Sequence, residues 1–447
     1  MQVGISALSF DLPKIHLPIK DLAIARNIEP EKLEKGLGLI RMTMADVHQD
    51  AVVFAANAVL KLIKTENLLP KDIHRIYVGT ESGVDASKPI ASFLLSILES
   101  QYGENTFEHC DAVDFTFACI SGVDALQTSL DFVRIHPDKK AIVICTDIAK
   151  YDLESTGEYT QGAGAVAMLI EKNPAIISFD THFGISTKGV FDFFKPRRIY
   201  SKSELQLQNH IDFKENEIEI FKEQPVFDGQ YSNQCYVDRT KKAYISLKNQ
   251  LQKKSLYSDW KAVNMHLPYA FQARRMFVDL YILDDENLLK EFDKAVDKVL
   301  FTKEISKSEA YIKFVDEKIK PSELASSLIG NMYTASIFMG FLSTLCYFYK
   351  QNENIDNATF GFLAYGSGSK SKVFEGKIQS NWKEKIQSQK LFEELENSLP
   401  ISIEQYTMLH IKSISESICK PKNECILHSI ENEKPNLLGA RYYSFIE

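Results

Sequence analysis

The chain has 447 residues, of which 45% are apolar and 25% charged, and its formal net charge is −8. That length allows two or three domains or one large α/β unit, with enough apolar material for a sizeable core. The acidic balance, with no basic tract interleaved with aromatics, argues against a nucleic-acid partner and against attraction to anionic lipid, while a local basic pocket stays compatible with it.

The seven cysteines, Cys110, Cys119, Cys145, Cys235, Cys346, Cys419 and Cys425, show no zinc-ligand spacing and are odd in number. They read as reduced thiols of a cytoplasmic protein rather than a metal site or a disulfide framework. The opening "MQVGISALSF" lacks the basic and apolar regions of a signal peptide. The longest apolar stretch, "SIFMGFLSTLCYFY", is too short and too interrupted to span a bilayer. The expectation is a soluble cytoplasmic chain with no membrane partner.

In chain order, "QDAVVFAANAVLKLI" has helical spacing, with Val52, Ala56, Val59 and Leu60 on one face. "RIYVG" is a short buried strand that ends at Thr80-Glu81-Ser82-Gly83, and "ASFLLSIL" is helical. "AVDFTFA" is a strand, and the helix after Cys119 buries Val123, Leu126, Leu130 and Val133. "KAIVICTDIA" reads as an apolar strand covered on both faces, and "GAGAVAMLI" as another with glycines at its start. Residues 195–225 are highly charged and weakly periodic, which suggests a surface insertion. A long helix follows at "QCYVDRTKKAYISLKNQL", then a strand ending near His266. "GNMYTASIFMGFLSTLCYF" is a loop feeding an apolar helix, and "ATFGFLAYGSGSKSKVFEGKI" is strand, tight turn, strand. Alternation of this kind predicts a layered α/β fold. The segments around Cys119 and Asn331 share a pattern, a reactive or polar residue before an apolar helix, so two similar halves are expected: 1–172, and 173–447 with the charged insertion.

Three residues carry candidate chemistry. Cys119 stands where a strand hands over to a helix, so unpaired N–H groups and the helix dipole favour its thiolate and offer an oxyanion site. Gly122 leaves room for a close approach there. Taken alone, the cysteine is more readily read as a packed core thiol. Glu81 ends an apolar strand, where carboxylates of α/β sheets face the ligand crevice, although a loop carboxylate capping the next helix fits the same pattern. His266, at a strand end before Leu267-Pro268, suits pairing with a thiolate or proton donation, or a structural role. The turns "TQGAGAV" and "AYGSGSK" do not match nucleotide-binding fingerprints. Gly-Ser-Gly either offers backbone N–H groups to a carbonyl oxygen or forms an ordinary hairpin.

Together, "GISALSFDLPK", "GLGLIRMTMADVHQDAVVFAANAV", "VGTESG", "FAC", "TDIAKYDLESTGEYTQGAGAVAMLI", "FDFFKP", "FDGQYSNQCY", "HLPY", "GNMYTAS" and "YGSGS" resemble the 3-hydroxy-3-methylglutaryl-CoA synthase family of thiolase-fold condensing enzymes, in the family's order along essentially the whole chain. The resemblance implies an α/β thiolase-like fold with a five-layered αβαβα core of two related halves, usually a homodimer. It implies Cys119 as the nucleophile that takes acetyl from acetyl-CoA, Glu81 as the base that deprotonates the acetyl methyl group, and His266 as the group that positions acetoacetyl-CoA and protonates the forming alkoxide. Tyr151, Asn331, Gly366 and Ser367 match positions lining the acyl site. The resemblance further implies CoA thioesters as substrates, no metal or other cofactor, and a product of the mevalonate pathway.

The chain departs from the pattern at two places. Ile120 stands where the family usually has Tyr, and Phe271 stands where a CoA-holding Lys is common. Arg274 and Arg275 follow closely and are candidates for the CoA phosphates. These departures leave open a relative that takes its acceptor from an acyl carrier protein in β-branching. A catalytically silent thiolase-fold scaffold is the alternative from another class, and it has no use for Glu, Cys and His together.

Overall fold

A computed structural model describes residues 1–201 and 217–447. A ten-stranded mixed sheet runs in the spatial order Trp260–Met265, Thr359–Gly366, Lys370–Ile378, Ile177–Phe179, Val3–Asp11, Gly162–Lys172, Lys140–Ala149, Ile73–Gly79, Asp111–Phe115, with Gly184–Thr187 pairing beside Lys370–Ile378. The N-terminal and C-terminal strands join where Val3 to Ile5 pair antiparallel with Ile177 to Phe179.

Helices separate the strands into layers. Ala51–Thr65 and Ile90–Tyr102 cover the outer face of the N-terminal strands through Val52, Phe54, Val59, Leu94 and Leu98. Ser121–Ile135 and Ser336–Lys350 lie between the two sets of strands, sharing one core that includes Val123, Leu126, Phe338 and Phe341. Gly229–Leu251 and Gln272–Asp284 cover the far face of the C-terminal strands with Tyr244, Leu247 and Phe277. The result is the expected thiolase-like αβαβα stack. Each large apolar side chain buried in it contributes roughly 1.5–3 kcal/mol. Local signals set the elements: Asp50 caps Ala51–Thr65 by accepting the N–H groups of Val52 and Val53 at 3.0 Å, worth about 1 kcal/mol.

The strand Ile73–Gly79 and the start of the helix Ser121–Ile135 meet through backbone. A Cβ on Gly79 would lie 2.3 Å from the Gly122 nitrogen, and one on Gly122 would lie 2.2 Å from Cys145 Sγ and 2.9 Å from Thr334 Oγ1. The space at Gly122 is therefore taken by the protein's own side chains rather than by a ligand, as its position had suggested.

The charged segment is more ordered than its sequence suggests. Phe193–Phe194 pairs with Val226–Phe227 and Arg197–Ser201 with Glu217–Phe221, giving a hairpin whose base is aromatic. The remainder of that segment, 202–216, lies outside the described residues. Lys222 Nζ meets Asp152 at 2.7 Å and Lys150 Nζ meets Glu223 at 3.3 Å, so part of the charge is spent on pairs against the body of the protein. Among the described residues, no helix is long and apolar enough to cross a membrane.

Candidate active site

Cys119 is 8% exposed and lies between the strand Asp111–Phe115 and the helix Ser121–Ile135. The residue before it, Ala118, holds φ at 44°, a left-handed conformation that costs an L-residue about 1–2 kcal/mol and turns the chain sharply at the thiol. The N–H groups at the helix start are already engaged: Ile120 donates to Phe117 O, Ser121 to Ala118 O, and Gly122 to Thr334 Oγ1 at 2.7 Å. The thiol instead donates to Glu81 Oε1 at 3.0 Å. Burial, and then the Glu81 carboxylate, push the Cys119 thiol well above its ordinary value. The resting sulfur is a thiol, not the dipole-held thiolate the sequence suggested, because its nearest partner is an anion and the helix N–H groups point elsewhere.

Glu81 is held from behind. Asp147, fully buried at the end of Lys140–Ala149, accepts the Glu81 N–H at 2.8 Å, Thr80 Oγ1 at 3.0 Å and Ser82 Oγ at 2.8 Å on one oxygen. Its other oxygen accepts the Thr334 N–H at 3.0 Å. Burial and the neighbouring Glu81 charge push the Asp147 carboxyl up, against the pull of those N–H donors and of Lys195. The strand expected to be apolar throughout thus carries a buried carboxylate that ties the Glu81 loop to the Thr334 loop.

His266 follows the strand Trp260–Met265 and is 3% exposed. Its Nδ1 lies 2.7 Å from Ser336 Oγ, which also accepts the Leu267 N–H at 3.2 Å. Burial lowers its pKa to about 3, so the ring is neutral near pH 7. A neutral imidazole offers hydrogen bonds to an oxygen rather than a ready proton.

A cavity of about 210 Å³ is walled by Cys119, His266, Tyr151, Asn331 and Ser367 together. Glu81 is not among the lining residues; it stands behind Cys119 and contacts its thiol. Gly366 stands behind the wall, packed so closely on the Phe117–Ile120 backbone that a Cβ would lie 2.5 Å from Phe117 O. Tyr151 packs edge-on against Phe227 with centroids 5.5 Å apart, and Asn331 Oδ1 accepts the Tyr333 N–H at 2.7 Å. In the Gly-Ser-Gly turn, the Gly368 N–H donates to Asp192 Oδ1 at 2.6 Å and is not open to a ligand. Arg274 is also committed: its Nε donates to buried Glu323 Oε1 at 3.0 Å and its guanidinium lies 3.7 Å from the Phe271 ring centroid. Arg275 donates to Gly36 O. The pair expected at the CoA phosphates is anchored to protein instead, Arg274 because a buried carboxylate claims it.

Sequence reasoning passed over Asp147, Lys195 and the aromatic wall of Phe193, Phe227, Tyr236 and Tyr333. The available signals were a carboxylate inside an apolar strand and a lone lysine after Phe193-Phe194. Among the described residues no group of three His, Cys, Asp or Glu side chains is placed to hold a metal ion.

Known proteins resemble this chain in sequence and in fold. The model for the hydroxymethylglutaryl-coenzyme A synthase N-terminal region matches residues 1–175, and that for the C-terminal region matches residues 201–417. The hydroxymethylglutaryl-CoA synthase of Enterococcus faecalis is 28% identical over 434 residues, covering 96% of this chain and 97% of that protein. That of Haloferax volcanii is 28% identical over 431 residues, covering 92% and 90%. The solved structure of MvaS in complex with 3-hydroxy-3-methylglutaryl coenzyme A superposes with a TM-score of 0.81 at 26% identity, over 100% of this chain and 99% of that one. The HMG synthase of the curacin pathway, at 20% identity and a TM-score of 0.78 over 100% of both chains, shares the fold. Because the two family matches together span far more than half of its length, this chain belongs to the hydroxymethylglutaryl-CoA synthase family.

Proposed function

We propose that the protein condenses acetyl-CoA with acetoacetyl-CoA and water to give 3-hydroxy-3-methylglutaryl-CoA and CoA, the mevalonate-pathway reaction of its family. The observation that carries this reading is the 3.0 Å contact between Cys119 Sγ and Glu81 Oε1 at a cavity that His266 also lines. In the first step the Cys119 sulfur bonds to the acetyl carbonyl carbon. Its proton passes to Glu81 and then to the departing CoA sulfur. Glu81, again a carboxylate, takes a proton from the methyl group of acetyl-Cys119. The enolate carbon bonds to the ketone carbon of acetoacetyl-CoA, and the new alkoxide receives the proton Glu81 carries. Neutral His266, oriented by Ser336, donates a hydrogen bond to that oxygen as charge develops. Water then cleaves the Cys119 thioester and restores the thiol.

Tyr151, Asn331 and Ser367 line the acyl end of the cavity in this reading, and Gly366 supports it from behind. The steps need no cofactor beyond the CoA thioesters. The reading includes a cytoplasmic location and two halves, 1–172 and 173–447, which the end of the strand Gly162–Lys172 supports. It also includes a homodimer: among the described residues Asp111–Phe115 is the last strand of the sheet, pairs only with Ile73–Gly79, and leaves Val113 40% exposed. The test is product formation from the two free CoA thioesters. Wild-type protein makes the six-carbon product and Cys119→Ser does not; equal turnover by Cys119→Ser would end the reading.

A second acceptor is favoured by one observation. Phe271 replaces the family's cation and packs its ring on Gly38, where a Cβ would sit 2.4 Å from it. An acceptor delivered on a carrier protein needs less grip on the CoA nucleotide. Turnover with carrier-bound but not free acetoacetyl groups would select this reading.

A further inference from the structure

Lys195 follows the two-residue strand Phe193–Phe194 at the base of the hairpin. Its side chain is 11% exposed, and that of Glu81 7%. The ammonium reaches Glu81 twice: Nζ donates to the Glu81 carbonyl oxygen at 3.2 Å and pairs with Oε2 at 3.4 Å. It also lies 4.5 Å from the centroid of the Tyr333 ring, a second contact that fixes it in place. The two oxygens of Glu81 therefore have different partners, the Cys119 thiol on Oε1 and the Lys195 ammonium on Oε2. The other titratable groups around Glu81 are Asp147, Tyr151 and Tyr333, with Glu223 beyond Lys195. None of them is a cation, and nearby Lys150 pairs with Glu223.

We propose that Lys195 is a positioning residue for the condensation: by gripping Oε2 and the main-chain carbonyl of Glu81, it keeps Oε1 aimed at the Cys119 sulfur and the acetyl group carried there. This rests on the reading of Glu81 as the base. A carboxylate with free rotation would swing away from a sulfur that, once acetylated, no longer donates to it. At that moment the Cys119 hydrogen bond is gone and, among the described residues, Lys195 is the side-chain partner that remains. The aromatic base of the hairpin thus has a use, which is to deliver a cation to the far side of the base.

The experiment compares wild type, Lys195→Met and Lys195→Arg for acetylation of Cys119 by acetyl-CoA, followed by mass spectrometry, and for kcat and KM with acetoacetyl-CoA. Lys195→Met is expected to lose condensation kcat by on the order of 100-fold, with KM within about twofold and with the Cys119 acetyl still forming. Lys195→Arg, which keeps the charge and the reach, is expected to recover at least about tenfold of that loss. Should Lys195→Met fold poorly, the arginine variant and Lys195→Gln carry the comparison. Wild-type kcat in the methionine or glutamine variant, or a loss that arginine does not recover, overturns the inference. If wild-type Cys119 takes no acetyl, the underlying reading of the site fails instead.

Discussion

Asp147 receives the Glu81 N–H on Oδ1 at 2.8 Å and the Thr334 N–H on Oδ2 at 3.0 Å, joining loops that are far apart in the chain. One buried side chain thus sets the height of the candidate base and of the Asn331–Thr334 wall. Asp147→Ala would leave those donors and the Thr80 and Ser82 hydroxyls without their acceptor. The expected loss of stability is about 3 kcal/mol, read from denaturant unfolding, with condensation falling alongside it. A variant within about 0.5 kcal/mol of wild type would show that the carboxylate does not hold these loops.

Gly122→Ala tests the packing beneath the nucleophile. Its Cβ would stand 2.2 Å from Cys145 Sγ, too close for any real contact. Overpacking of this kind costs about 1–3 kcal/mol and is expected to displace the helix start and slow acetylation. Adding Cys145→Ala makes room, and the pair should recover part of both losses, which a double-mutant cycle measures. Strict additivity would contradict the contact.

The state of His266 predicts a pH effect on stability. Its folded pKa, lowered by burial to about 3, is below the unfolded value of 6.5, so the unfolded chain binds more protons between those values. Its contribution is complete above about pH 6.5 and is lost as pH falls toward 3. Between pH 7 and pH 5 the share of His266 is about 2 kcal/mol. Unfolding midpoints of wild type and His266→Gln at the two pH values should differ in slope, with wild type losing more. Equal slopes would mean that the imidazole is already exposed or already charged.

Phe271→Lys places a cation at the position where the resembled family commonly has one. With free acetoacetyl-CoA, KM should fall by several-fold while kcat changes little. An unchanged KM would indicate that this chain does not grip the nucleotide of its acceptor at that position, in line with a carrier-borne substrate.

Much of this site was legible because its signals are local. Cys119 precedes an apolar helix by two residues, Glu81 follows a strand by two and His266 follows one directly, so a short window shows each in its place. What stayed hidden depends on contacts across the chain. Asp147 lies within an apolar strand, and only its distant partners Glu81 and Thr334 give it a purpose. Lys195 reads as the first residue of a charged excursion, yet its charge meets a carboxylate more than a hundred positions earlier. The protonation of Cys119 was misread because the dipole argument uses the helix alone. Glu81 and the occupied N–H groups of Ile120 to Gly122 decide it. The pairing of Arg274 with Glu323 was hidden for the same reason, since no window around it includes Glu323.

The most direct test follows acetyl through the Cys119–Glu81 pair. Wild type and Glu81→Ala are exposed briefly to acetyl-CoA, the Cys119 peptide is weighed, and acetoacetyl-CoA is then added. Wild type should carry one acetyl group on Cys119 and discharge it with formation of 3-hydroxy-3-methylglutaryl-CoA. Glu81→Ala should acetylate more slowly, having lost the acceptor of the thiol proton, and condense at least about 100-fold more slowly. Acetyl found on a residue other than Cys119, or discharge by Glu81→Ala at the wild-type rate, would contradict the account.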